Sequence, residues 1–318
     1  LNIMRNRLDR HILPVLGDRS IGTCDAEAIQ DMMQRLTQER VSSITLSQYL
    51  VIVRKVLKLA MSRKWLHDMP DIPAIQIDNK PRSALTVDQY RKLLKCSKRL
   101  EREGVEAPRI KMGEGTRERF WITPRYRTLP PDMYWLITFM VNSFVRPSDI
   151  KVLKHGHVEV VRGAHDYLRL TMPATKKHDK PIVTLRPAVR VYEALFARAQ
   201  TNGQASADDY VFLPQEPNRE HALALFNFWL KWVLRQAGLP LTDNHGQART
   251  LYSLRHTAIT FRLLYGQGID MLTLARNART SVNMIERFYA STLTGEMNVA
   301  MLQSRREQKK TPSREARG

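Results

Sequence analysis

The sequence predicts a mainly α-helical chain with one small antiparallel β-sheet, divided into two domains. Three observations carry this. Apolar residues recur at i, i+3, i+4 and i+7 over much of the chain, the spacing of amphipathic helices. The runs "VEVV" (158–161), "YLRLTM" (167–172) and "PIVTL" (181–185) are short and rich in β-branched and aliphatic residues, with Gly163 and the turn "TKKHDK" between them. The segment 67–83, "HDMPDIPAIQIDNKPRS", holds three prolines and no period, which reads as a linker.

In the first domain, residues 1–80, "DAEAIQDMMQRL" places Ile29, Met32, Met33 and Leu36 on one helical face. "TLSQYLVIVRKVLKLAMSRKWL" does the same for Leu46, Tyr49, Leu50, Val53, Leu57 and Ala60, and both stripes are read as core. The segment "ILPVLGD" at 12–18 is read as a turn closing the first helix. The second domain, residues 81–318, opens on a capping-box pair, Thr86 and Gln89, ahead of a helix that buries Tyr90, Leu93 and Leu94. Residues 100–130 are polar, basic and aperiodic and read as a long loop or insertion. A buried helix is expected over 131–144; its apolar run "YWLITFMV" is far short of the ~20 residues that span a bilayer. The three strands follow, then helices from about 187 to 200, 219 to 237 and 253 onward. The tail 304–318, "SRREQKKTPSREARG", is dominated by charge and reads as disordered.

Fifty-one Lys and Arg against 31 Asp and Glu give a net charge of +20, with a pI near 10.2. Such an excess speaks to partners more than to fold, and nucleic acid is the partner it favours. No apolar run supports a membrane role, and the opening "LNIMRNRLDRH" lacks a signal-peptide core. The chain begins without an initiator Met, so a preceding region is expected. Two cysteines, Cys24 and Cys96, without paired spacing suggest a reducing cytoplasm and argue against a disulfide framework or a zinc site. The "HGH" at 155–157 lacks the partners of a metal site and reads as a loop, and no metal or cofactor is expected.

The residues that carry chemistry stand in "SFVRPSDIKVLK" (143–154) and "LYSLRHTAITFRLLYGQGIDMLTLARNARTSVNMIERFYAST" (251–292). Arg146 and Arg255 can each grip a phosphate with a planar, two-pronged fork. Tyr289, 34 positions after Arg255, can attack phosphorus and form an ester. Tyr252 and Tyr265 are rival tyrosines, but both sit close to Arg255 in sequence. In order and spacing these boxes resemble the tyrosine recombinase (phage integrase) family.

That resemblance implies a helical core-binding domain followed by an α+β integrase-type catalytic domain, together clamping double-stranded DNA as a C shape. Tyr289 would form a 3′-phosphotyrosyl link and release a 5′-hydroxyl, with no metal or ATP. Arg146 and Arg255 would stabilise the charged transition state, with Asp149 bracing the first arginine. Lys176 on the hairpin between the second and third strands, or Lys177 next to it, would protonate the leaving oxygen. The helix-like "LTGEMNVAMLQ" (293–303) would dock on a neighbouring protomer, giving a tetramer on paired sites. The setting would be a bacterial or phage-encoded protein associated with DNA in the cytoplasm.

Two positions depart from the family pattern. The usual His three residues before the second arginine is Tyr252, which can donate a hydrogen bond but carries no charge. The usual Gly-His nine residues before the nucleophile is Arg279-Thr280. Thr280 keeps a hydroxyl donor, and Arg279 is read as offering charge to the phosphate. His256 fits the frequent "LRHT" form and is read as packing. The departures keep open a DNA-binding protein on a decayed scaffold; a type IB topoisomerase-like enzyme would use the same chemistry on one strand.

Overall fold

The computed structural model describes residues 2–39, 41–76, 83–109, 122–173, 180–266 and 269–289. The chain divides into two compact units, Leu1–Lys80 and Pro81–Gly318. The first unit is helical: α1 (Asn2–Arg7), α2 (Leu13–Leu16), α3 (Ala26–Gln38) and α4 (Ser43–Ser62). Asp25 and Ser42 cap α3 and α4 by accepting the backbone N–H of Ala28 (2.9 Å) and Thr45 (3.3 Å). The helical stripes meet in one core of Ile29, Met32 and Leu36 against Leu46, Leu50, Val53 and Leu57. The expected turn at 12–18 is corrected. A π-helical turn, Leu8–Ile12, joins α1 to α2, and the chain turns only after Leu16. Pro14 lies in the first turn of α2, where its missing N–H has no helical partner to lose.

The second unit holds α5 (Val87–Glu103), α6 (Pro131–Ser143), α7 (Pro147–Val152), β1 (Val158–Val161), β2 (Tyr167–Leu170) and β3 (Ile182–Val183). After the sheet come α8 (Arg186–Thr201), α9 (Arg219–Gln236), α10 (Leu251–Tyr265), α11 (Met271–Asn277) and α12 (Val282–Tyr289). The capping box forms at α5, with Gln89 N donating to Thr86 Oγ1 (3.2 Å) and Thr86 N to Gln89 Oε1 (3.1 Å). The sheet is antiparallel in the order β1-β2-β3. Alternation shows on β2 and β3: Leu168, Leu170 and Ile182 are buried, while on the other face Arg169 pairs across the strands with Glu159 at 2.7 Å. The apolar helix α6 is central and packs on α5, α8, α9 and α10.

The 100–130 segment is only partly the surface loop expected. Residues 110–121 lie outside the described residues, but the ends of the segment enter the core. Ala107, Ile122, Tyr126 and Leu129 are buried, and the Tyr126 hydroxyl donates to Glu216 at 2.9 Å. Single tyrosines and leucines in a polar run leave no periodic signal, so this packing was invisible to pattern reading. Cys24 and Cys96 are buried and unpaired. Among the described residues, no helix is long and apolar enough to cross a membrane.

Two ties bring α5 and the sheet to the helices that matter below. Leu85 N donates to Thr257 Oγ1 of α10 at 2.9 Å, and the rings of Tyr90 and Phe261 meet edge-on at 5.9 Å. Across 94 positions, the Asn277 side chain pairs with Val183 like an extra strand residue. Its Oδ1 accepts Val183 N (2.7 Å) and its Nδ2 donates to Val183 O (2.8 Å).

Candidate active site

Arg146, Asp149, Tyr252, Arg255, Arg279 and Tyr289 come together where α6 ends, α7 begins, and α10, α11 and α12 meet. Each is placed by a local feature of the sequence. Arg146 is the residue before Pro147 and caps α7; Pro at the first helical position forces the arginine into extended backbone. Its backbone N–H donates to Asp149 Oδ2 at 2.8 Å, so Asp149 braces the turn. Arg255 sits inside the buried face of α10, a helix started by Thr250, whose Oγ1 accepts Tyr252 N at 3.3 Å. Tyr289 is the last residue of α12, whose inner side is marked by buried Ile285.

Arg255 is only 2 % exposed. A buried guanidinium needs partners for its fixed fork of donors. Two are backbone carbonyls: Nη1 donates to Phe144 O and Nη2 to Ala278 O. Phe144 ends α6 in the left-handed region, φ 58°, an uncommon conformation for a bulky residue, and it is this residue whose carbonyl serves the arginine. Arg146 Nη2 donates to Arg279 O. Each guanidinium carries five N–H donors, so both retain donors beyond these bonds.

The electrostatics favour an anion. Burial, and next the neighbouring Arg146, lower the Arg255 pKa below the ordinary guanidinium value; Tyr252, Tyr289 and Asp149 pull it back. The guanidinium of Arg146 bonds the Arg279 carbonyl and lies within the field of Arg255, while the Asp149 carboxylate pairs with the guanidinium of Arg279 and also acts on Arg255. The formal excess of positive charge in so dry a place is what a phosphodiester would relieve.

Tyr289 is 6 % exposed, and burial pushes its phenol above the usual tyrosine value, while Arg255 and Arg146 act in the opposite sense. The hydroxyl therefore lies within the field of both arginines. An aromatic ladder places its ring: Tyr289 stands 5.1 Å from His256, and His256 stands 4.9 Å edge-on from Tyr252, one helical turn back on α10. His256 thus packs between the two tyrosines. Tyr265 is 61 % exposed at the far end of α10.

Arg279 differs from its sequence reading. Helix α11 closes in a Schellman motif: Thr280 N donates to Ala275 O (2.9 Å) and Arg279 N to Arg276 O (3.0 Å). Arg279 occupies the left-handed position, φ 51°, where glycine is the usual residue. Arginine thus takes a position where glycine is usual without loss of the turn. The Arg279 side chain is 4 % exposed and pairs with Asp149 Oδ1 at 3.2 Å, turned into the protein. Thr280 is half-buried beside it. Thr280→His would place an imidazole next to this turn. Lys176 and Lys177 lie outside the described residues, as does the 293–303 segment. Sequence reading missed the three carbonyls that hold the arginines and the Asn277–Val183 pairing; neither backbone direction nor a contact 94 positions apart leaves a motif.

A cleft of about 860 Å3 lies elsewhere, between α5, the start of α6 and the end of α9. Its lining, with Lys92, Lys95, Lys98 and Arg102, includes none of the clustered residues. Among the described residues, no group of three or more His, Cys, Asp or Glu gathers as a metal site.

No protein-family model and no curated protein matches the sequence. Solved structures do. A lambda integrase dimer bound to a COC′ core site is similar over 91% of this chain and 87% of that one, at 14% identity and a TM-score of 0.61. The Tn1549 transposon integrase in complex with circular intermediate DNA is similar over 95% and 93%, at 16% identity and a TM-score of 0.61. Identity this low speaks for architecture, and on that ground the chain has the fold of the tyrosine recombinases.

Proposed function

We propose that this chain is a site-specific DNA recombinase that cuts and rejoins duplex DNA through a 3′-phosphotyrosyl link on Tyr289. The supporting observation is the convergence of Arg146, Arg255 and the Tyr289 phenol in one buried, electropositive cluster. In this reading the two forks hold the non-bridging oxygens and neutralise the charge that grows on them as the phenol oxygen attacks. The phenol proton passes to water, the Tyr289–phosphorus bond forms, the bond to the 5′ oxygen breaks, and that oxygen takes a proton from Lys176. A 5′-hydroxyl of a partner strand later reverses the step. Tyr252 donates a hydrogen bond to the phosphate, and Thr280 offers a second hydroxyl donor. Both units engage DNA, and the 293–303 segment links protomers into a tetramer on paired sites.

The test is covalent trapping. DNA that co-purifies with the protein, once sequenced, supplies the site; a nicked suicide duplex of that sequence is then incubated with the protein in EDTA. A denaturant-resistant adduct is expected. Duplex affinity itself should fall by about 10³ or more between 50 and 200 mM salt, because each phosphate contact releases counterions. A salt-independent affinity in a filter-binding titration would remove the nucleic-acid reading.

A second reading is a DNA-binding protein on a decayed scaffold. It is favoured by Tyr252 in place of a chargeable histidine and by the commitment of Arg279 to Asp149. Steep salt-dependent binding without any adduct would decide for it.

A further inference from the structure

We propose that Arg279 is a positioning residue: anchored on Asp149, it holds the end of α11 so that two successive carbonyls, of Ala278 and Arg279, seat Arg255 and Arg146. The proposal rests on the reading of those two arginines as phosphate ligands, and it assigns Arg279 a task that charge alone would not give it.

The geometry has three parts. First, the carbonyls are adjacent in sequence and serve different arginines: Ala278 O accepts from Arg255 Nη2, and Arg279 O accepts from Arg146 Nη2. One turn therefore sets the spacing and direction of both forks. A shift of that turn moves both together, away from the geometry a phosphate requires. Second, the turn is left-handed at a residue with a Cβ, which disfavours it. Glycine would adopt φ 51° without this cost, so the arginine side chain has to contribute something that glycine does not. Third, that contribution is visible. The guanidinium is buried and bonds Asp149 Oδ1 at 3.2 Å, while Asp149 Oδ2 accepts the backbone N–H of Arg146 at 2.8 Å. The same carboxylate thus ties the end of α11 to the start of α7. Its two oxygens fix Arg146 from both sides, at the backbone directly and at the guanidinium through the Arg279 carbonyl.

The Arg279→Gly variant separates this role from the alternatives. It relieves the backbone and removes the anchor, so an idle or purely strained arginine would be improved by it. We expect the single-turnover cleavage rate to drop by roughly 10–100-fold, the scale of a misplaced catalytic group, with duplex affinity unchanged. Because Arg279→Gly leaves Asp149 buried without its charge partner, the double variant Arg279→Gly with Asp149→Asn is made alongside. Asparagine can still accept the Arg146 N–H and carries no charge, and the same loss of rate is expected. Arg279→Lys should recover cleavage in part, as a point charge that reaches Asp149 without the planar fork.

A second measurement needs no catalysis. Phenylglyoxal modifies accessible guanidinium groups, and peptide mass mapping follows each one. In both glycine variants, Arg146 and Arg255 should react several-fold faster than in wild type. Arg219, held by the carbonyls of Lys151, Phe212, Leu213 and Glu216, is the internal control and should not change. Cleavage in Arg279→Gly equal to wild type, or unchanged reactivity of Arg146 and Arg255, overturns the proposal. A parallel rise at Arg219 also overturns it, since the fault would then be general unfolding. A wild-type protein that forms no adduct overturns the recombinase reading instead, and arginine reactivity still decides this one.

Discussion

Tyr289→Phe is expected to abolish the covalent protein–DNA adduct, lowering its yield at least ~10⁴-fold, with duplex affinity unchanged. The substitution removes one oxygen and keeps the ring. The contact with His256 at 5.1 Å is a ring contact, and Ile285 and the rest of α12 are untouched, so the fold has little reason to respond. What is lost is the atom that must bond to phosphorus. In the DNA-free protein burial holds the phenol of that tyrosine above the usual value, against the pull of Arg255 and Arg146. Attack requires the proton to leave, and the same two guanidiniums then favour the anion that results. The rival to watch is Tyr252. It lies close enough to raise the pKa of Tyr289 and to offset the lowering of that of Arg255, whereas Tyr265 lies exposed at the other end of α10. Peptide mass mapping of the adduct distinguishes them. An adduct that survives in Tyr289→Phe, or one that maps to Tyr252, sinks the assignment.

How much of this was legible in the sequence depended on the range of the contact. Helix faces such as Leu46, Leu50, Val53 and Leu57, and the Thr86–Gln89 capping box, are local, and their spacing encodes them directly. The three strands were legible because each is a short run rich in β-branched and aliphatic residues, set off by Gly163 and the turn "TKKHDK". The arginine and tyrosine boxes were legible as an ordered set, yet nothing in their spacing told which groups hold the guanidiniums. Those groups are carbonyls, and a carbonyl is aimed by φ and ψ, not by residue type. Phe144 at φ 58° and Arg279 at φ 51° are conformations that sequence pattern assigns to glycine, so both were unreadable. Arg279 was read as offering charge to the phosphate for a similar reason. Its partner Asp149 lies 130 positions earlier, and only the meeting of α7 with the end of α11 turns the side chain inward. Pro14 misled in the opposite direction, since a proline that opens a helical turn and one that ends a helix look alike in sequence.

Arg255→Ala is expected to cost both cleavage and stability, and the comparison with Arg146→Ala separates the two. Arg255 is nearly fully buried and gives a hydrogen bond to each of two carbonyls, Phe144 O and Ala278 O. Alanine leaves both acceptors without that donor, at about 1–3 kcal/mol for each buried polar group left unsatisfied, together with an unfilled space in α10. Cleavage should fall by about 10²–10³-fold or more, the scale of removing one preorganised donor from a developing oxyanion. Arg146→Ala should lose cleavage on the same scale with a much smaller shift in the urea midpoint. Its side chain is only half-buried, and the bond that caps α7 comes from its backbone N–H, which alanine keeps. Arg255→Lys is the sharper variant. An ammonium restores the charge and can bond one carbonyl, so part of the stability should return. It cannot bond both carbonyls and still present a planar pair of donors to a phosphate, so cleavage should stay low. Full cleavage by Arg255→Lys, in single turnover on the suicide duplex, would mean that this guanidinium serves the fold alone and that the phosphate is held by other groups.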